Sequence, residues 1–184
     1  MHGRKIGLIL LLSACHQSAP NGAAQPASTT IDKTWQLESS GLAVNDTSVT
    51  FAASRGRTIT LRHAAPDDAL FLTLRFPPVG DTARVRDSIH VSVRPVPGKY
   101  AFALATTDKL PTGAMATFSY AIHFRTPAAA AARYPSPGRF EQLVAPVQIT
   151  PDNRAHFIKA ERPAADMLAF LLAGAGNYAL VVAQ

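Results

Sequence analysis

Short runs of alternating apolar and polar residues, separated by turn-forming residues, fill most of the chain after residue 34. Thr58–His63 and Ile89–Val93 place an apolar side chain at every second position. Leu70–Phe76 is more apolar throughout and stops at Pro77-Pro78. Evenly spaced runs of this kind, bounded by Gly, Pro, Asn and Asp, predict an antiparallel β-sandwich or barrel, and we favour the sandwich.

The last third of the chain is harder to assign from its pattern. Phe118–Phe124 has large side chains at every second position and is the clearest predicted strand. Residues 167–183 carry no charge, and this length is near the lower limit for a membrane span. We favour a short helix over Pro163–Leu172 and a buried strand over Tyr178–Val182, because Gly and Asn interrupt the apolar stretch. The predicted fold is therefore a mainly β domain with one short helix near the C-terminus.

Two further features refine this domain, which we place at residues 34–184. Gly98-Lys99-Tyr100 and Gly176-Asn177-Tyr178 resemble the Gly-x-Tyr sequence common at the start of immunoglobulin-like strands. The resemblance implies an immunoglobulin-like sandwich. Residues 126–139 are rich in Ala and Pro, and we interpret them as an insertion between strands.

The N-terminus has the three-part pattern of an export signal. A basic cluster at Arg4 and Lys5 is followed by the apolar run Ile6–Leu12 and then by small residues. The sequence Leu12-Ser13-Ala14-Cys15 resembles the lipobox of bacterial lipoproteins. The resemblance implies that residues 1–14 are removed and that Cys15 is lipidated; the alternative is an ordinary cleaved signal with an incidental Cys.

The resemblance also implies a location. Such lipoproteins usually carry Asp after the lipidated Cys for retention in the inner membrane, whereas His16 stands here. This points to the outer membrane of the cell envelope. Residues 15–33 contain almost no large apolar side chain and predict a disordered tether. Cys15 is the only Cys, so the exported domain forms no internal disulfide.

The charge balance adds little to this picture. Eighteen basic residues against twelve acidic ones give a net charge of +6. We interpret the arginines as scattered and solvated; the alternative is a basic strip facing anionic headgroups or glycan. That strip would use Arg55, Arg57, Arg62, Arg84, Arg86 and Arg94. No nucleic-acid-binding motif is present, so we expect no nucleic-acid partner.

The chain contains no recognised catalytic or nucleotide-binding motif. Histidine offers the best metal hypothesis, because four His residues lie in or beside predicted strands and imidazole suits Cu²⁺ and Zn²⁺. These residues are His63, His90, His123 and His156. The simpler interpretation is four separate surface histidines.

Two weaker hypotheses concern other residue types. A hydrolase would need a pair of carboxylates drawn from Asp67, Asp68, Glu141 and Glu161, and a structural role in turns is favoured for them. A glycan site would use an aromatic platform drawn from Trp35, Tyr120 and Tyr134. Our preferred function is non-catalytic: a membrane-anchored accessory module that binds another envelope protein and needs no cofactor beyond its lipid.

Overall fold

A computed structural model describes residues 27–80 and 88–184 of the chain. The lipobox, Cys15, Arg84 and Arg86 lie outside the described residues. Within those residues, strands are far more abundant than helices. The helical elements are a 3₁₀ turn at Ile31–Lys33, α1 at Ala128–Ala131 and α2 at Pro137–Leu143.

The strands, in chain order, are short and mostly antiparallel to their neighbours. They are β1 Ser28–Thr30, β2 Thr34–Gln36, β3 Glu38–Ser39, β4 Thr47–Ala52, β5 Arg57–Arg62, β6 Leu70–Phe76, β7 Ser88–Pro95, β8 Ala101–Thr106, β9 Met115–Ser119, β10 Phe124–Arg125, β11 Ala145–Ile149, β12 Arg154–Phe157, β13 Ala160–Glu161, β14 Met167–Leu171 and β15 Gly176–Ala183.

These strands form two main sheets. The larger sheet has the order β1-β12-β11-β15-β8-β7-β4, with β2 also paired to β15. The smaller sheet has the order β13-β14-β9-β6-β5, and β3 and β10 pair separately. The predicted mainly β, antiparallel sandwich is confirmed, and the immunoglobulin-like resemblance stays a prediction.

The core lies between the two sheets and is rich in aromatic side chains. Phe102 of the larger sheet lies 5.5 Å, between ring centroids, from Phe118 of the smaller one. Phe170 and Tyr178 meet across the same interface at 5.9 Å. All four side chains are buried. Alternation along each strand directs one set of side chains into this layer, because successive residues of a strand point to opposite faces.

The short helix predicted at Pro163–Leu172 is wrong in its position. A short helix is present as α2 at Pro137–Leu143, and residues 167–171 form β14 instead. Residues 167–183 therefore belong to one strand of each sheet. Periodicity alone does not distinguish a short buried strand from a short buried helix, and pairing of β14 with β9 decides the outcome here. No helix of the described ranges is long and apolar enough to cross a membrane.

Two boundaries also differ from expectation. The predicted tether extended to residue 33, but Ser28–Thr30 pairs with β12, and Ile31 packs on a small apolar cluster of the larger sheet. The predicted strand Phe118–Phe124 is interrupted after Ser119 by a turn. Phe124 stacks on Phe140 of α2 at 6.2 Å, so its apolar contact lies with the helix rather than along β9.

Candidate functional site

Four chain segments meet at one end of the sandwich, which we call the loop end: residues 39–44, 63–69, 95–99 and 120–124. The backbone N–H of Ser39 donates to the Gly98 carbonyl at 3.0 Å. That of Ser40 donates to the His123 carbonyl at 2.9 Å. These hydrogen bonds join three segments that are distant in sequence.

His63 lies at the base of the loop end and is almost completely buried, with 3% of its surface exposed. Its Nδ1 lies 2.6 Å from the Leu42 carbonyl oxygen, which can only accept, so Nδ1 carries the proton. In the neutral ring, Nε2 is then the nitrogen with the lone pair, and it is buried without a hydrogen-bond partner. The ring edge rests on Phe71, with 5.5 Å between centroids. A buried nitrogen lone pair without a partner is unusual and calls for an explanation.

His123 lies directly above His63 and beside an acidic residue. The two imidazole centroids are 4.6 Å apart. Nε2 of His123 lies 2.5 Å from a carboxylate oxygen of Asp67, although the two atoms are not aligned as in an ordinary hydrogen bond. The contact becomes an ion pair when His123 is protonated. It links the turn at residues 120–124 to the turn at residues 64–69.

Gly41 makes this close arrangement possible because it has no side chain. A Cβ atom at this position would lie 2.5 Å from Cε1 and Nδ1 of His63 and 2.8 Å from Cδ2 of His123. Real Cβ atoms essentially never approach other atoms this closely. The backbone of residue 41 therefore packs directly against both imidazole rings.

A buried tyrosine extends the polar cluster toward the core. The Tyr100 hydroxyl donates to the Tyr120 carbonyl at 3.4 Å. Burial raises the pKa of Tyr100 to about 12; a hydrogen bond with Ser39 opposes this shift, and the nearby Asp67 charge adds to it. Tyr100 is thus held firmly in its neutral form.

The surface above this cluster carries exposed aliphatic side chains. Ile122 is 73% exposed, Leu42 is 49% exposed and Val96 is 42% exposed. Leu42 and Val96 line a recess of about 20 Å³, beside His63. Ile122 is next to His123 in sequence, so the three apolar side chains lie on adjoining loops over one buried polar cluster.

The structure brings together two of the four predicted metal-binding histidines. His90 lies on β7 and contacts Ser48 at 3.1 Å and Thr50 at 2.9 Å, and His156 lies exposed on β12. Within residues 27–80 and 88–184, no three His, Cys, Asp or Glu side chains are arranged to hold a metal ion. His90 makes its side-chain contacts on β4 and β7, whereas His123 lies in a turn beside His63.

The proposed carboxylate pair for hydrolysis is likewise spread over different elements. Asp67 and Asp68 occupy the turn before β6, whereas Glu141 lies in α2 and Glu161 in β13. Asp68 has a φ of 51°, a left-handed conformation that Asp tolerates in turns. Asp67 contacts His123, as described above.

Two of the three predicted platform aromatics do meet. Trp35 and Tyr134 form an edge-to-face pair at 5.7 Å, and the Arg133 guanidinium lies 5.8 Å from the Trp35 ring centre. Tyr120 is buried and belongs to the core. An open groove of about 460 Å³ passes Trp35 and includes Asp32 and Lys99. The glycan hypothesis stays a prediction.

Sequence reasoning missed the grouping of Gly41, Asp67 and His123. All three lie in turns, and strand alternation carries no information about which turns meet at one end of a sandwich. The local signals were the Gly after Ser39-Ser40 and the pair Asp67-Asp68, each of which is also an ordinary turn feature. Comparison with protein-family models, with curated proteins and with solved structures found no match for this chain.

Proposed function

We propose that this protein is a lipid-anchored lipoprotein of the bacterial cell envelope whose β-sandwich domain binds another envelope protein through the loop end and catalyses no reaction. The observation that carries the proposal is the group of exposed aliphatic side chains at Leu42, Val96 and Ile122. The lipobox residues Leu12–Cys15 support the anchoring part.

Exposed apolar groups on adjoining loops are typical of protein-binding surfaces. Single exposed apolar side chains are common on proteins, whereas three on loops that hydrogen bonds hold together, with polar residues around them, favour an interaction site. The surround here includes Lys99, paired with Glu38 at 3.5 Å, and the half-buried Asp67. Loops held by a rigid sheet scaffold are where binding residues concentrate.

The anchor restricts where such a partner can lie. Cys15 and Ala27 are twelve residues apart in the sequence, a span of at most about 45 Å when fully extended. Ala27 is already fixed to the sheet, because its carbonyl accepts the Phe157 N–H at 3.2 Å. The partner is therefore expected close to the membrane surface, and the residue after the lipidated Cys favours the outer membrane.

The test is cross-linking in intact cells followed by identification of proteins that copurify with the lipidated chain. Wild type is compared with Ile122→Asp and with the control Leu171→Asp. Leu171 is 61% exposed on β14, so its substitution adds the same charge at a different surface. We expect one near-stoichiometric partner with wild type and Leu171→Asp, and at least about a tenfold loss with Ile122→Asp.

Each component of the proposal can fail separately. Equal partner recovery from both variants would exclude the loop end as the binding surface, and recovery of no partner from wild type would count against the accessory role. Cys15→Ser is expected to abolish acylation and membrane retention. A mature chain whose mass and membrane attachment are unchanged by Cys15→Ser would contradict the lipoprotein assignment.

A second candidate function is binding of Cu²⁺ or Zn²⁺ by His63 and His123. One observation favours it: the unprotonated Nε2 of His63 is buried without a partner, while Nδ1 is held by a backbone carbonyl, as in many metal-ligating histidines. The side chains must move to form a site, since no three ligands converge in the described residues. Stoichiometric metal binding by wild type and by His90→Ala, together with its loss in His63→Ala, would support this second function. Equal retention of metal by the two variants would exclude the His63–His123 cluster as the site.

A further inference from the structure

Three arginines line an open groove at the end of the sandwich opposite the loop end. We call it the arginine groove, formed by Arg55, Arg57, Thr58, Arg75, Pro77 and Pro78, with a volume of about 380 Å³. Arg75 lies near the C-terminal end of β6, whereas the loop end adjoins the start of that strand at Leu70. The groove is therefore separate from the proposed protein-binding surface.

The electrostatics of the groove favour an anion. Among the described residues, no Asp or Glu lines it. The ion pairs found among these residues involve Arg94, Lys99 and His123, and none involves an arginine of the groove. Three arginines without an acidic partner in the described ranges concentrate positive potential around this groove and attract negatively charged ligands.

The walls of the groove are fixed by close backbone packing. Gly56, between Arg55 and Arg57, has a φ of 62°, and a Cβ there would lie 2.5 Å from the Phe76 carbonyl oxygen. The N–H of Val79 donates to the Ala53 carbonyl at 2.9 Å, which ties the segment after β6 to the β4–β5 turn. The arginine backbones are thus held in place before any ligand arrives, and preorganisation reduces the entropy lost on binding.

The strand register places a hydroxyl donor beside one of the guanidinium groups. Thr58 of β5 is directly opposite Arg75 of β6 in the antiparallel pair. Opposed residues on one face of a sheet have Cβ atoms about 5 Å apart, so both side chains can reach one ligand. Guanidinium groups bind phosphate through two parallel N–H···O bonds, and a hydroxyl adds a further donor.

We propose that the arginine groove binds the phosphate group of a ligand, with Arg75 as the principal contact, Thr58 on the same face of the sheet as an additional donor, and Arg55 and Arg57 as further positive charges at the rim. Two sources carry this chemistry: a phospholipid headgroup and a soluble phosphorylated compound. The inference does not depend on the protein-binding role proposed for the loop end.

The experiment uses the full chain carrying Cys15→Ser, so that an acyl anchor does not itself bind membranes. Two probes are used at low ionic strength: inorganic pyrophosphate, followed by calorimetry, and vesicles of phosphatidylcholine with phosphatidylglycerol, followed by sedimentation. The variant Arg75→Gln removes the principal contact. Arg139→Gln, at an exposed arginine of α2, is the matched control, because it removes one positive charge at a different surface.

We expect Arg75→Gln to bind at least about tenfold more weakly than Arg139→Gln, because hydrogen bonds to a charged group contribute substantially to affinity. Loss of pyrophosphate binding identifies a site for soluble phosphates, and loss of vesicle binding alone identifies a headgroup site. Equal binding by Arg75→Gln and the control would overturn the proposal, and so would failure of the wild-type groove to bind either probe. Circular dichroism confirms that each variant is folded.

Discussion

The close packing of Gly41 against two imidazole rings predicts that Gly41→Ala destabilises the domain. The added methyl group would lie 2.5 Å from Cε1 and Nδ1 of His63 and 2.8 Å from Cδ2 of His123. Gly41 does not have a left-handed φ, so alanine fits the backbone and the effect is steric. His63 has little room to move, because it is buried, bonded to the Leu42 carbonyl and packed on Phe71.

The size of the effect follows from these contacts. Overpacking a well-packed interior destabilises a protein by about 1–3 kcal/mol. Displacing His63 also breaks its hydrogen bond to Leu42, for about 1 kcal/mol more. We expect a loss of about 2–4 kcal/mol in the free energy of unfolding. For a domain of this length, each kcal/mol corresponds to about 2–4 °C in Tm.

Urea unfolding measures this loss directly. Trp35 is the only tryptophan, so its fluorescence reports the transition, and circular dichroism follows the sheets in parallel. Gly138→Ala is the matched control, because a Cβ there would lie 3.9 Å from Ser136 Oγ, an ordinary van der Waals distance, and the position is helical. We expect Gly138→Ala to leave stability unchanged or raise it by up to about 1 kcal/mol.

A double-mutant cycle identifies the contact responsible. In a His63→Ala background one of the two rings that obstruct the methyl group is absent, so Gly41→Ala is expected to have a smaller effect, with the His123 contact remaining. An equal effect in both backgrounds would refute the steric role of His63. Wild-type stability in Gly41→Ala itself would refute the packing of the loop end as described.

Two further predictions concern buried polar contacts. Arg162 donates to the Tyr120 hydroxyl at 2.6 Å and to the Val144 carbonyl at 3.0 Å. Because Lys lacks the planar fork that reaches both acceptors, Arg162→Lys is expected to lower the free energy of unfolding in urea by about 1–3 kcal/mol. Stability equal to wild type would contradict this. The pKa of Tyr100 is raised from its ordinary value of 10 to about 12 in the folded protein. The contribution of its neutral side chain to the free energy of unfolding is therefore complete below pH 10 and is lost as pH rises toward 12. Tyr100→Phe should therefore make the decline of stability between pH 10 and pH 12 less steep. Some decline should remain, because burial also raises the pKa of Tyr178. An unchanged slope would argue against a buried Tyr100.

The strand pattern of the sheets could be predicted from the sequence because alternation and turn residues agree. Leu70–Phe76 is a strand with the bounds that its apolar run and Pro77-Pro78 indicate. The same reasoning failed at Phe118–Phe124, where alternation continues but the chain turns after Ser119. Alternation alone would have assigned Ile122 to the core, but its side chain is exposed.

The candidate site was less predictable because it is made of turns. His63 and His123 were singled out by residue type, but their partner Asp67 was interpreted as a turn residue. Which turns meet depends on the strand order of both sheets, and that order contains crossovers between strands distant in sequence. Residue type therefore identified candidates, and topology selected among them.

The unpaired His63 nitrogen also bears on where this domain performs its function. Leaving a buried acceptor without a partner destabilises a protein by about 1–3 kcal/mol, and an apolar residue at position 63 would avoid that loss. Local features that reduce stability concentrate at functional sites. Here the feature lies directly beneath Leu42 and beside the turn that carries Ile122. Stability and surface chemistry therefore indicate the same loops independently, so a variant that gives the His63 Nε2 a hydrogen-bond partner should stabilise the domain while weakening whatever binds at the loop end.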